Sequence, residues 1–120
     1  MHIRALTDAE PFTTADGSTI RSLLDRTTAP VVQQSLAEAT ISAGTATTRH
    51  YHRESEELYY VLSGEGEMEI DGERALVGRG DAILIPAGAW HQIRVTGGGT
   101  LRFLCCCAPP YSHEDTYFEP

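Results

Sequence analysis

Along most of the chain, apolar or β-branched residues alternate with polar ones in short runs, and each run is closed by a turn signal. The signals are Asp16-Gly17, Ala43-Gly44, Ser63-Gly64, Asp71-Gly72, Gly78 to Gly80, Pro86 to Gly88 and Gly97 to Gly99. Turns spaced roughly 8 to 12 residues apart mark an all-β sandwich or barrel. Period-two alternation predicts strands over residues 31–41, 45–52, 57–62, 66–71, 73–77, 82–85, 91–96 and 100–107. No run carries the period of a long helix.

Asp71-Gly72 is the sharpest local signal, because these residues accept the positive φ angles of a type I′ turn. It joins Glu67-Met68-Glu69-Ile70 to Arg74-Ala75-Leu76-Val77. Met68 and Ile70 then share an inner face, and Glu65, Glu67, Glu69, Asp71 and Glu73 form an acidic outer face expected to be wet. Gly97-Gly98-Gly99 reads as a further hairpin turn. In the N-terminal extension, 1–28, residues 8–11 suit a short helical turn and residues 18–24 an added strand with Ile20, Ser22 and Leu24 facing one way. Pro109-Pro110 ends the last strand, and the aromatic tail within 108–120 is expected to pack down. With no repeat or linker, residues 1–120 read as a single domain.

The same parity organises three of the five histidines. His50 and His52 stand two apart, so on a strand both point to one face with Tyr51 opposite. Glu57 opens the next strand, whose return can bring its carboxylate beside them. His91 shares an apolar face with Ile93 and Val95, while Trp90, Gln92 and Arg94 take the polar one. An imidazole on the apolar side of a small barrel needs a hydrogen-bond partner or a metal.

Composition narrows the function classes. The 120 residues carry 17 Asp plus Glu against 9 Lys plus Arg, a formal charge of -8. All nine cations are arginines, so Schiff-base chemistry, a P-loop lysine and a lysine base are excluded. Asparagine is absent too, a joint loss that fits a GC-rich bacterial source. Scattered arginines in an acidic chain argue against a nucleic-acid partner. No stretch nears the roughly 18 apolar residues of a membrane helix, and the start lacks the apolar core of a signal peptide, so a cytoplasmic protein with no membrane partner is expected. The consecutive Cys105, Cys106 and Cys107 suit neither a disulfide framework nor a zinc site and read as small buried thiols. A domain this small gains from pairing, so a homodimer is expected.

The spacing as a whole resembles the cupin superfamily. Gly44, His50, His52, Glu57 and Gly64 fill every fixed position of its first motif, G-x5-H-x-H-x4-E-x6-G. Gly80, Pro86, Gly88 and His91 fill its second, G-x5-P-x-G-x2-H-x3-N, where Val95 replaces the final Asn. The two motifs span residues 44–64 and 80–95. The resemblance implies a small cupin barrel, a double-stranded β-helix or jelly roll, holding one metal on His50, His52, Glu57 and His91. Its spacing selects Glu57 over the adjacent Glu56, which is left as a surface carboxylate paired with Arg53 or Arg49.

Three imidazoles and a carboxylate suit one divalent transition metal (Mn, Fe, Co, Ni, Cu or Zn) and disfavour Ca or Mg. Four protein ligands leave open positions on an octahedral ion for water, dioxygen or a bidentate substrate. The leading expectation is therefore a metal-dependent enzyme, a dioxygenase-type oxidoreductase acting on a small polar or aromatic molecule. The same site would serve an isomerase or decarboxylase, and the alternative from another class is a non-catalytic module that binds a small ligand or a metal. No separate acid or base stands out. His2 and His113 read as terminal residues, and Tyr59, Trp90 and Phe103 as core or rim.

Overall fold

The computed structural model describes all 120 residues. Its strands are β1 (Phe12–Thr13), β2 (Thr19–Leu24), β3 (Ser35–Ile41), β4 (His50–His52), β5 (Glu56–Ser63), β6 (Glu65–Ile70), β7 (Glu73–Gly78), β8 (Ala82–Ile85), β9 (His91–Val95), β10 (Leu101–Ala108) and β11 (Thr116–Phe118). The only helical pieces are 3-10 turns at Leu6–Asp8 and His113–Asp115, and no helix is long and apolar enough to cross a membrane. The strands form two antiparallel sheets, β1-β2-β3-β10-β5-β8 and β11-β4-β9-β6-β7. The fold is a jelly roll whose two sheets face each other across one interior; they do not close by hydrogen bonds into a single barrel.

Period two decides what enters that interior. On β5, Glu57, Tyr59 and Val61 are buried while Glu56, Leu58 and Tyr60 are exposed. On β9, His91, Ile93 and Val95 are buried. Leu101 and Phe103 on β10 join Ile41, Val61, Met68 and Ile85 in an apolar core. Full burial of such a side chain is worth about 1.5–3 kcal/mol. Farther along the same strands the interior changes to Glu57, Cys105 and Cys107, so one end of the fold is an apolar plug and the other holds polar groups.

Two glycines show why the turns fall where they do. Asp71 and Gly72 have φ of 49° and 89°, the expected type I′ geometry, with Ile70 opposite Glu73. Gly64 has φ 88°, and a Cβ there would lie 2.6 Å from the Thr100 carbonyl oxygen, a clash with backbone that cannot yield.

Several expectations need correcting. The first long strand begins at Ser35, not at residue 31. Residues 45–52 are not one strand: β4 is only His50–His52, preceded by an isolated bridge between Ala46 and Arg94. Thr47 donates its amide to the Ile93 carbonyl, yet His50 stands opposite His91, so β4 carries one extra residue against β9. That bulge matters, because in unbroken register Arg49 would stand opposite His91. Gly97 to Gly99 do not turn a hairpin; β9 and β10 belong to opposite sheets, and the glycines cross between them. Glu69 is buried and not part of a wet face. It is held by Arg49, whose Nε donates to Glu69 Oε1 at 2.6 Å.

Candidate metal centre and its cavity

His50 and His52 come from β4 and His91 from the neighbouring β9, all facing the interior and all buried. Ring centroids lie 4.2 Å apart for His50 and His91, 5.2 Å for His50 and His52, and 5.5 Å for His52 and His91. Their ligand atoms all fall within 4.8 Å of one another, a cluster able to hold one metal ion. Glu57 arrives from the facing sheet, not from a strand paired with β4. Its Oε1 lies 3.2 Å from His52 Nε2 and 3.5 Å from His91 Nε2.

The outer nitrogen of each ring has a partner that sets its tautomer. His50 Nδ1 donates to the Thr48 carbonyl at 2.7 Å, and His91 Nδ1 to the Ala89 carbonyl at 3.0 Å. His52 Nδ1 contacts Thr116 Oγ1 at 3.0 Å, and that hydroxyl donates to the Ser112 carbonyl, which leaves it an acceptor for the ring. With all three Nδ1 protonated, each Nε2 turns a lone pair inward, the arrangement that metal-binding histidines use. His91 Nε2 and Glu57 Oε1 are buried without hydrogen-bond partners. Lone pairs aimed at a carboxylate oxygen need a cation or a proton between them, so the donor set fits a divalent transition metal.

The electrostatics follow from burial and charge. Burial pushes Glu57 up, but the closeness of the His52 and His91 rings outweighs it and holds the carboxyl far below its usual range. Burial lowers His50, reinforced by the nearby His91. Burial also opposes the charged form of His52, yet Glu57 outweighs it and raises that imidazole. Cys107 Sγ donates to Glu57 Oε2 at 3.2 Å, and burial beside this carboxylate pushes the thiol far up, so it stays protonated.

A cavity of about 80 Å³ opens beside the cluster. His50, His52 and Glu57 reach its wall, with Phe12, Tyr59, Phe103 and Phe118 supplying aromatic surface. Cys105 and Cys107 line it, and Cys106 points away. Tyr59 and Phe103 belong to the core, whereas Trp90 packs against Tyr51 on the side of the sheet away from the histidines and does not line the cavity. His2 and His113 are exposed. Glu56 is exposed at the start of β5, and Arg49 pairs with Glu69 and Glu119 and not with Glu56.

Two contributors were invisible to sequence reasoning. Thr116 belongs to β11, which the tail adds beside β4, placing Thr116 opposite His52 and Phe118 opposite His50. Asp16, in the turn before β2, enters the cavity with Oδ2 4.0 Å from His50 Nε2. Its tie to the site is also backbone: the Thr48 amide, in the bulge, donates to the Asp16 carbonyl at 2.8 Å. The only local signal was the Asp16-Gly17 turn itself.

Comparison with known proteins agrees with this geometry. The family model described as "Cupin domain" matches residues 37–107. An uncharacterized protein of Methanocaldococcus jannaschii is 49 % identical over 107 residues, covering 89 % of this chain and 86 % of that protein. Among solved structures, the polyketide cyclase RemF from Streptomyces resistomycificus is 29 % identical, with TM-score 0.78 over 96 % of this chain and 89 % of its own. The nucleoside dehydratase Pac13 superposes with TM-score 0.80 over 99 % of this chain and 91 % of its own, at 18 % identity. Strand order, motif spacing and family match converge: the chain belongs to the cupin family.

Proposed function

We propose that this protein is a metal-dependent enzyme that acts on a small neutral molecule, with His50, His52, Glu57 and His91 holding one divalent transition metal. The observation that carries the reading is the cluster of His50, His52 and His91, with the Nε2 atoms of His52 and His91 converging on an unpartnered Glu57 Oε1 at the wall of a cavity. A metal held there supplies Lewis acidity and open positions for dioxygen or a substrate oxygen. The chain's own residues do the rest. Thr48, Ala89 and Thr116 fix the imidazole tautomers, Cys107 orients Glu57, and Phe12, Phe103 and Phe118 exclude water and give a ring a surface to lie on.

The leading reaction class is a dioxygenase-type oxidation. A second reading, rearrangement, dehydration or ring closure without dioxygen, is favoured by the 29 % identity to RemF. Iron- or manganese-loaded protein, offered a panel of catechols, phenols and hydroxy-ketones in an oxygen electrode with product analysis, separates them. Oxygen uptake with product is the expected result. Product without uptake assigns the second reading, and binding without any product assigns a ligand-binding module.

A homodimer is proposed through the outer face of the six-stranded sheet. Leu58 stands opposite Leu84 and Cys106, and Cys106 opposite Leu36, in a row that carries no charge, with Tyr60 opposite Ala82 and Leu104 beside it. Leu58, Tyr60 and Leu84 are 46–55 % exposed, and this is where two copies of an acidic chain meet with least repulsion. Light scattering should give a dimer mass for the wild type and a monomer for Leu58→Glu.

A further inference from the structure

We infer that Asp16 is the substrate-binding carboxylate of the cavity, accepting a hydrogen bond from a hydroxyl of a neutral, ring-containing ligand. The inference rests on the proposed metal site and adds the ligand class. One oxygen of Asp16 is fully engaged: Oδ1 accepts from the Ser18 amide at 2.9 Å, from Ser18 Oγ at 2.5 Å and from Thr14 Oγ1. These donors, all inside the Thr14 to Ser18 turn, lock the carboxylate and leave Oδ2 aimed at the cluster, 4.0 Å from His50 Nε2. A carboxylate held this way is preorganised to accept a proton-bearing group lying between it and the imidazoles.

Charge fixes the ligand class. Asp16, Asp25 and Glu57 line the cavity, and no arginine joins them in a chain without lysine. The carboxyl of Asp25 is spent on its own turn, accepting from Ser22 Oγ and from the amides of Thr27 and Thr28. Asp16 and Glu57 together offset one divalent cation, which leaves the cavity with no positive charge for an anionic ligand. A small dicarboxylate would place its second charge against Asp16. A neutral diol or phenol instead gives Asp16 a donor and lays its ring against Phe12, Phe103 and Phe118.

Substitution by Asn makes the test sharp. The donors of Thr14 and Ser18 hold the amide oxygen, which turns the amide nitrogen into the cavity and replaces an acceptor with a donor. The experiment is calorimetric titration of the zinc-loaded full chain with catechol and with oxalate, in wild type and Asp16→Asn, with zinc content measured on each sample. The expected result is that wild type binds catechol in preference to oxalate. Asp16→Asn should keep its zinc, lose about tenfold or more in catechol affinity and gain in oxalate affinity. Zinc-loaded wild type that binds oxalate as well as catechol, or binds neither, overturns the inference without reference to any variant. So does an Asp16→Asn protein that keeps both affinities, or one that loses its zinc, which would make Asp16 a metal ligand. Wild type unable to hold zinc overturns the metal site itself, a result the zinc analysis distinguishes.

Discussion

The Cys107 thiol donates to Glu57 Oε2 at 3.2 Å, and this occupies one carboxylate oxygen while the other, Oε1, faces His52 and His91. The last member of a cysteine triplet thereby acquires a role that its neighbour Cys106, turned away from the cavity, does not share. Glu57 is aimed by a thiol, and the thiol is kept neutral by burial and by the same carboxylate.

Removing that donor should weaken metal binding without abolishing it. Cys107→Val leaves Oε2 unpaired, whereas Cys107→Ser restores an O–H donor. Competition with a chelator should show the valine variant about 10–100-fold weaker in metal affinity and the serine variant closer to wild type. Equal affinities in all three would remove the positioning role of Cys107.

The ligand assignment itself divides two adjacent carboxylates. Glu57→Gln should lower metal content by elemental analysis, and Glu56→Gln, on the exposed side of β5, should leave it unchanged. His52→Ala should abolish stoichiometric metal and with it the rise in Tm that metal gives the wild type, since a ligand bound only to the native state stabilises it by mass action.

The tail strand predicts a coupling over a long stretch of chain. Thr116→Val removes the acceptor of His52 Nδ1 while keeping shape, so the ring loses its fixed tautomer. Metal affinity should fall, with little change in the Tm of the metal-free protein. Thr116→Ser, which retains the hydroxyl, should restore the affinity.

The pair of buried Glu69 with the partly exposed Arg49 gives a pH dependence of definite sign. Arg49 holds the Glu69 carboxyl below its usual value of 4.5, aided by the Gly72 amide at 2.8 Å. A carboxyl depressed in the folded state contributes stability above its unfolded value and loses it as pH falls through the folded one. Glu69→Gln should therefore be less stable than wild type near neutral pH, and the difference should shrink as pH falls below 4.5 and through the folded-state value in melts of the metal-free proteins. A gap that stays constant across that range would show that the charge of Glu69 is not the cause.

By itself the sequence determined what depends on near neighbours. Alternation placed His50 with His52 and His91 with Ile93 and Val95, and Asp71-Gly72 set its turn; period two and a local φ preference suffice for each, whereas the preference for Glu57 over Glu56 rests on the cupin resemblance, because both faces of that strand are apolar. Only the tertiary structure decided that β4 and β5 belong to opposite sheets, that a bulge at Thr48 and Arg49 brings His50 in place of Arg49 to face His91, and that Asp16, Cys107 and Thr116 meet around one site. Glu69 shows the same limit, since its strand parity said neither that it would be buried nor that Arg49 would pair with it. Side-chain parity is a property of one strand. Which strands pair, where one gains a residue, and what the two chain ends cover depend on contacts between distant segments, and those are decided by the packing of the whole fold.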